Sequence, residues 1–203
     1  MRRVALISAL AAGLLSSCGN SGAPGTGETV RRAAALAPPV AAWDHKPEAP
    51  EWTEAVLAAL DGPGAPLVTR VPADAESFCP AFSEASLEER KAFWVGFLSA
   101  LAKHESTWQP EVSGGGGRWH GLLQISPATA SGYGCAARTA DGLKSGPANL
   151  RCAVRIMGTT VARDGVIAEG GGGVAADWGP LTRPGKRAEI ASFTRSQDYC
   201  RRS

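Results

Sequence analysis

The feature that most constrains the fold is a capped and nearly continuous apolar run in the middle of the chain. Ser86 is followed three residues later by Glu89, a capping-box pattern that predicts the start of a helix. From this cap to about His104 the helix would be apolar on most of its circumference, and Pro110 prevents it from continuing much further. A helix that is apolar on most sides must be surrounded by protein, so we place it at the centre of a domain.

A glutamate stands at the end of this run. Helical steps back from Glu105 reach Leu101, Leu98 and Trp94, so its carboxylate continues an apolar stripe. Burial against such a stripe disfavours the charged form and raises the pKa, as a general acid working near neutrality requires. A solvated, purely structural glutamate is the alternative, but the C-terminal end of a helix favours cations. We therefore predict that Glu105 is catalytic.

A second motif follows a run of four glycines at 114–117. Residues 121–125 read GLLQI, and Pro127, Thr129 and Ala130 come directly after them. Together with the pair Glu105-Ser106, in this order and at this spacing, the motif resembles the catalytic core of the soluble-type lytic transglycosylases, relatives of goose-type lysozyme. The close resemblance covers residues 105–130, and weaker agreement continues to about residue 185.

This resemblance implies a mainly α, lysozyme-like helical domain with little or no sheet. It also implies an enzyme that acts on peptidoglycan glycan strands and cleaves the β-1,4 bond between N-acetylmuramic acid and N-acetylglucosamine with a 1,6-anhydro product. Glu105 would serve as both acid and base, helped by the 2-acetamido group of the substrate, without a metal or cofactor. Ser106 would form a hydrogen bond near the site, and Gln124 would bind the sugar or orient Glu105.

The chain departs from the family pattern after the Gly-rich stretch at 170–173. Many members carry Ala-Tyr-Asn-x-Gly, where residues 175–179 here read AADWG. The usual Tyr and Asn therefore have no assigned counterparts, and Trp178 is either a sugar-facing residue or part of the core. Asn149 resembles the family's Asn at the start of the helix after the active-site loop. Trp108 and Trp119 flank the glycine turn, and either sugar stacking or hydrophobic anchoring explains them.

Two other functions remain open. Most glycosidases use two carboxylates, but Glu105 is the only acidic residue with a motif around it. A hydrolase of goose-lysozyme type would replace the muramoyl C6 hydroxyl by water, and Asp177 would be the residue that positions this water. A non-catalytic lipoprotein that binds peptidoglycan belongs to another class, and the presence of both Glu105 and Gln124 argues against it.

The N-terminus predicts export and lipid anchoring. Arg2 and Arg3 precede an apolar stretch that is too short to span a membrane and ends in Leu15-Ser16-Ser17-Cys18. This ending resembles a lipobox, so we expect residues 1–17 to be a signal peptide and Cys18 to carry the lipid. An ordinary signal peptide with a chance cysteine is the alternative. Gly19 after Cys18 resembles an outer-membrane sorting signal, which predicts a cell-envelope lipoprotein at the periplasmic face of that membrane.

Composition divides the rest into a tether and one domain. Residues 18–50 are rich in Gly, Pro, Ala and Ser and read as a flexible tether, and residues 51–203 form the transglycosylase-like domain. Within it we predict helices at 51–60, from Pro127 with Ser126 as N-cap, and at 149–163. The net charge of +2 becomes neutral once the signal peptide is removed, which excludes an electrostatic footprint for nucleic acid. We expect a monomer.

The cysteines predict disulfides. If Cys18 is acylated, four of the five cysteines remain, and an even number in an exported chain indicates two bridges with three possible pairings. We favour Cys135–Cys152, which closes a short loop, and Cys79–Cys200, which joins the start of the domain to its end. A metal site is the competing interpretation, but the chain has no CxxC, and its three histidines show no ligand spacing.

Overall fold

The computed structural model describes residues 38–201, which lie in one unit of the chain, Ala37–Ser203. The predicted signal peptide, Cys18 and residues 18–37 of the predicted tether lie outside the described residues. The helices are α1 (Ala49–Leu60), α2 (Ala65–Thr69), α3 (Ala75–Phe78), α4 (Leu87–Ser106), α5 (Pro127–Gly132), α6 (Ala140–Lys144), α7 (Gly146–Asp164) and α8 (Pro184–Arg195). Strands β1 (Ser113–Gly114) and β2 (Trp119–His120) pair antiparallel, so the predicted mainly α fold is confirmed.

Helix α4 is the predicted central helix. Its capping box is present: Glu89 N donates to Ser86 Oγ at 3.3 Å, and Ser86 N donates to the Glu89 carboxylate at 2.7 Å. Trp94 and Leu98 are both 0 % exposed, because other elements cover α4 on most sides. The predicted burial is therefore confirmed for residues 93–102, whereas residues 87–89 in the first turn are exposed.

Two groups of helices contact α4. In the first, α7 packs against α1 and α2, and α2 also contacts α4 through a hydrogen bond from Trp94 Nε1 to the carbonyl of Leu67 at 2.7 Å. In the second, α8 packs along α4 and also contacts α3. Short 3-10 turns at Glu169–Gly171, Gly173–Ala176 and Gly179–Thr182 connect α7 to α8 and include the Gly-rich stretch at 170–173.

The packed domain begins earlier than predicted. Trp43 is 0 % exposed and donates from Nε1 to Thr53 Oγ1 at 3.1 Å. The backbone N–H of Ala42 donates to Ser99 Oγ on α4 at 2.8 Å. The tether prediction is therefore wrong for its last residues, 41–50. Their Pro and Ala content is typical of a tether, but Trp43 has a large apolar side chain whose burial in the core is favourable.

Both favoured disulfides are confirmed. Cys79 is bonded to Cys200, with Cα atoms 4.7 Å apart, and Cys135 to Cys152, with Cα atoms 5.2 Å apart. The first bridge joins the end of α3 to the C-terminal end of the described chain. The second ties the segment after α5 to α7, and therefore supports the loop that precedes α5.

Between residues 38 and 201 no helix combines the length and the apolar character that a membrane span requires. In the same part of the chain, no three or more His, Cys, Asp and Glu side chains are grouped so that they could hold a metal ion.

Candidate active site

Glu105 lies in the last turn of α4, one residue before the helix ends. Its side chain is partly buried, and this burial raises the pKa of the carboxyl group from 4.5 to about 7. The positive charges of Lys186 and Arg183 act in the opposite direction and lower the pKa, but the effect of burial is larger. A carboxyl group with a pKa near 7 can both give and take a proton at neutral pH.

The chain turns sharply after Glu105 and Ser106. Thr107 and Trp108 both have left-handed backbone conformations, with φ of 52° and 56°. Such angles are costly for residues with a Cβ, so two in succession need support from their surroundings. Trp108 supplies part of it, because its Nε1 donates to the carbonyl of Ser99 at 2.8 Å and its ring meets His45 edge-on at 4.6 Å. Trp108 is thus an anchor for the end of the helix.

Ser106 connects the end of α4 to the second motif. Its buried hydroxyl group donates a hydrogen bond to the carbonyl of Leu122 at 2.9 Å. The same oxygen accepts a hydrogen bond from the backbone N–H of Gln109 at 3.3 Å. The predicted hydrogen bonding of Ser106, next to Glu105 in the chain, therefore has a structural basis in these two bonds.

The second motif forms a tight turn. The backbones of His120 and Ile125 pair at its base, with N–O distances of 3.1 and 3.0 Å. Gly121 has φ of 77°, and a Cβ here would overlap with the carbonyl of Leu143 and the amide of Asn149. Only glycine fits at this position, so the first residue of the motif is explained by space as well as by conformation.

Asn149 holds this turn from within. Its side chain is fully buried at the start of α7, and its Oδ1 accepts a hydrogen bond from Leu123 N at 2.9 Å. Its Nδ2 donates to the carbonyls of His120 and Leu143, both at 2.9 Å. One buried amide thus satisfies three backbone groups, and the turn is pinned to α7.

Gln124 lies on the same turn with a left-handed φ of 46°. Its partly buried side chain folds back, and Nε2 donates to the carbonyls of Gly121 at 2.9 Å and Val112 at 3.3 Å. These bonds connect the turn to the segment before β1. The contact of Gln124 with sugar or with Glu105 stays a prediction.

The two tryptophans near this turn differ in exposure. Trp178 is 3 % exposed, and its Nε1 donates to the carbonyl of Leu123 at 2.9 Å. Of its two predicted roles, the structure supports core packing, because so buried a ring has no open face for a sugar. Trp119 is 41 % exposed, with the guanidinium of Arg118 at 5.3 Å from its ring.

Asp177, the residue that a hydrolase would use to position water, is exposed. Its carboxylate accepts a hydrogen bond from the hydroxyl of Tyr133 at 3.1 Å. Burial, followed by the charge of Asp177, raises the pKa of Tyr133. The sequence analysis did not single out Tyr133, since no local pattern indicates that the end of α5 meets residue 177.

Lys186 and Arg183 are further residues of the site that the sequence analysis missed. They belong to the start of α8, and Arg183 is its N-cap. The residues between them and Glu105 carry no pattern that predicts this approach. Only the packing of α8 along α4 brings these charges to the carboxyl group.

The comparisons agree with this geometry. A family model described as "Transglycosylase SLT domain" matches residues 83–165, which include Glu105 and the turn. No curated protein matches the chain.

Solved structures of the protein DslA are similar over most of the chain. A glutamate-to-glutamine variant is 31 % identical, with a TM-score of 0.73, over 80 % of this chain and 98 % of DslA. A wild-type form is 30 % identical, with a TM-score of 0.71 and the same coverage. A second glutamate-to-glutamine variant is 29 % identical, with a TM-score of 0.72, over 81 % of this chain and 100 % of DslA.

The matched region, the helical fold and the placement of both motifs therefore lead to one conclusion: the chain belongs to the transglycosylase SLT domain family of peptidoglycan-cleaving enzymes.

Proposed function

We propose that this protein is a monomeric lytic transglycosylase that cleaves the β-1,4 bond between N-acetylmuramic acid and N-acetylglucosamine and leaves a 1,6-anhydro end. Glu105 is the only carboxyl group to which the proposal gives a chemical role, and no metal or cofactor takes part. The observation that carries the proposal is the pKa of Glu105, raised to about 7 by burial at the end of α4. A single residue that acts first as acid and then as base needs such a pKa.

The proposed reaction has two steps. In the first, Glu105 gives its proton to the glycosidic oxygen, the bond between this oxygen and muramoyl C1 breaks, and the N-acetylglucosamine side leaves with a hydroxyl group. The 2-acetamido group of the substrate stabilises the positive charge at C1. In the second, the Glu105 carboxylate takes the proton of the muramoyl C6 hydroxyl, whose oxygen bonds to C1. Glu105 ends the cycle protonated, and no water is consumed.

The hydrogen bonds near Glu105 hold the end of α4 and the turn of the second motif in place. Ser106 ties the end of α4 to Leu122, and Trp178 ties the same turn to the segment before α8 through Leu123. In this proposal these bonds keep Glu105 and the turn at a constant separation while a glycan strand binds. Catalysis by a positioned acid is sensitive to displacements of about 1 Å, so this rigidity contributes to rate.

The test is product analysis on purified peptidoglycan sacculi. The full mature chain is expected to release muropeptides with anhydro ends, which mass spectrometry separates from reducing ends by the mass of one water. Reducing ends alone would instead indicate a hydrolase of goose-lysozyme type, and binding to sacculi without any release would indicate an anchor. The matched control is the Glu105→Gln variant, which is expected to bind sacculi and release nothing.

The location of the protein is a separate proposal, supported by the sequence pattern at residues 1–18 alone. The mature chain is lipidated on Cys18 and held at the periplasmic face of the outer membrane. Labelling with palmitate and fractionation of the membranes test it in the wild type and in Cys18→Ala. Labelled wild-type protein in the outer-membrane fraction, and an unlabelled variant, are expected. An unlabelled wild type would contradict lipidation.

A further inference from the structure

The register between α4 and α8 places the start of α8 next to Glu105. The two helices run antiparallel: a Cβ on Gly96 would lie 3.5 Å from the ring of Phe193, whereas His104 Nε2 lies 3.6 Å from Glu189 Oε2. The residues of α8 that precede Glu189 therefore lie beside the C-terminal end of α4. Lys186 precedes Glu189 by one helical turn and lies on the same face of α8.

Electrostatics agree with this register. Burial lowers the pKa of His104, and the positive charge of Lys186 lowers it further, whereas Glu189 raises it. The charges of Lys186 and Arg183 oppose the rise in the pKa of Glu105 that burial causes. Both charges therefore act on the carboxyl group, and for Lys186 the register of the two helices independently indicates a position beside the end of α4.

Within residues 38–201 these two cations have no salt bridge, and their side chains make no hydrogen bond, although Lys186 is partly buried. Lys103, on the same pair of helices, differs because its Nζ lies 3.4 Å from the Glu189 carboxylate. A cation beside a general acid favours loss of the acid's proton, and it also opposes positive charge that develops on a sugar. Lys186 and Arg183 therefore disfavour the reaction of a neutral substrate, whereas an anionic substrate would neutralise their charge.

We propose that Lys186, assisted by Arg183, binds a carboxylate of the muramoyl residue that is being cleaved and so gives this site its preference for anionic peptidoglycan. This inference rests on the proposed function. The carboxylate has two possible sources with the same chemistry: the lactyl group of a strand without peptide, or the peptide stem attached to that group. A lysine ammonium and an arginine guanidinium both form charge-assisted hydrogen bonds to carboxylates.

Binding of the carboxylate also favours the first chemical step. Once the substrate neutralises Lys186, this lysine no longer favours the ionised form of Glu105. The carboxyl group then holds its proton more firmly in the complex than in the free enzyme. Lys186 would therefore be a specificity and positioning residue that acts on Glu105 through its charge.

The test compares four substrates: intact sacculi and amidase-stripped glycan strands, each with native carboxylates or with carboxylates converted to amides by carbodiimide and ammonia. The wild type is expected to prefer the native form by roughly tenfold in kcat/KM, mostly through KM, as is typical of one charged hydrogen bond. A preference on stripped strands identifies the lactyl carboxylate as the ligand. A preference confined to intact sacculi identifies the stem.

The variants separate binding from folding. Lys186→Met is expected to lose the preference, so that its kcat/KM values on native and amidated substrates become equal, and Lys186→Arg is expected to restore it. Arg183→Gln is expected to lose part of it. Lys103→Met is the matched control, since it removes an already paired cation from the same helices, and it should keep the preference. Thermal midpoints show whether each variant is folded.

Two outcomes would overturn the inference. In one, the wild type cleaves native and amidated substrates equally well. In the other, Lys186→Met keeps the full preference. If the wild type releases nothing from any of the four substrates, the proposed function itself fails, and the inference fails with it.

Discussion

The hydroxyl group of Ser106 donates a hydrogen bond to the carbonyl of Leu122 at 2.9 Å, and this bond joins the helix that carries Glu105 to the turn of the second motif. The two residues come from the two halves of the sequence pattern. Both are buried, so the bond is made away from water and its loss would leave a buried carbonyl unpaired. The spacing of the two motifs in the chain therefore corresponds to a physical contact between them.

Ser106→Ala should destabilise the protein by about 1–3 kcal/mol, because it leaves the buried Leu122 carbonyl without its donor. Activity should fall as well, since the turn is no longer tied to the end of α4. Chemical denaturation and release of muropeptides measure the two effects. Ser196→Ala is the control: this exposed serine donates to the carbonyl of Phe193 at 2.7 Å, and its loss should change stability by less than about 0.5 kcal/mol. Equal effects of the two substitutions would contradict the role given to Ser106.

Glu105→Gln should reduce muropeptide release by a factor of about 10²–10⁴ or more, because glutamine keeps the shape but cannot transfer the proton. In the wild type, kcat/KM should fall as the pH rises through about 7, where the free enzyme loses the proton that the first step requires. Rates measured between pH 5 and pH 9, roughly two units on each side of that pKa, check this. Release by the variant at a near wild-type rate would contradict the assignment of Glu105.

The pH dependence of stability provides an independent check on Glu105. Its carboxyl group titrates near 4.5 in the unfolded chain and near 7 in the folded protein, so between these values the folded state binds the proton more tightly. This contribution to stability is present below pH 4.5 and is lost as the pH rises through 7, by roughly 3 kcal/mol in total.

Glu105→Gln cannot ionise, so its stability relative to the wild type should increase across this window. Thermal midpoints of both proteins at acidic and alkaline pH measure the difference. Parallel curves for the two proteins would show that Glu105 is not desolvated in solution.

Gly121→Ala should destabilise the protein more than a left-handed conformation alone explains. An alanine in that conformation costs about 1–2 kcal/mol, and at Gly121 the new methyl group also overlaps with Leu143 and Asn149. Gly134→Ala is the matched control, because Gly134 has φ of 67° and no atom lies within 4 Å of the position that a methyl group would take there. Denaturation midpoints of both variants isolate the cost of overlap. Equal losses of stability in the two variants would mean that a methyl group at residue 121 does not overlap with Leu143 and Asn149.

Trp178→Phe tests whether this ring is an anchor or a sugar platform. Phenylalanine retains most of the apolar surface but removes the donor to the Leu123 carbonyl, so we expect a loss of about 1–3 kcal/mol of stability with little change in KM. Trp119→Ala, at the exposed ring, should leave stability nearly unchanged. A higher KM for Trp178→Phe at unchanged stability would favour the sugar-binding role.

Several elements follow from the sequence because the signals that produce them are local. Ser86 and Glu89 cap α4 through groups three residues apart, and Ser126 caps α5 in a similar way. The burial of residues 93–102 in α4 follows from their apolar side chains, which cover most of the circumference of the helix there and are stable only inside the protein. Cys135 and Cys152 are close in sequence, so their pairing needed little knowledge of the fold.

Long-range packing decided the remaining features. Trp43 looked like part of a tether, because nothing nearby indicates the cavity that it fills beside Thr53. From the sequence, Trp178 was either a sugar-facing residue or part of the core. Its burial and its hydrogen bond to Leu123 favour the core.

The sequence by itself determined that Glu105 is the candidate acid, because a glutamate that continues an apolar stripe predicts a raised pKa from neighbours within a few helical turns. Only the tertiary structure decided what surrounds its carboxyl group. Lys186 and Arg183 reach Glu105 because α8 runs antiparallel along α4, and the direction and register of two packed helices depend on all their contacts together. The charge of the site is therefore a property of the packing, and no short motif encodes it.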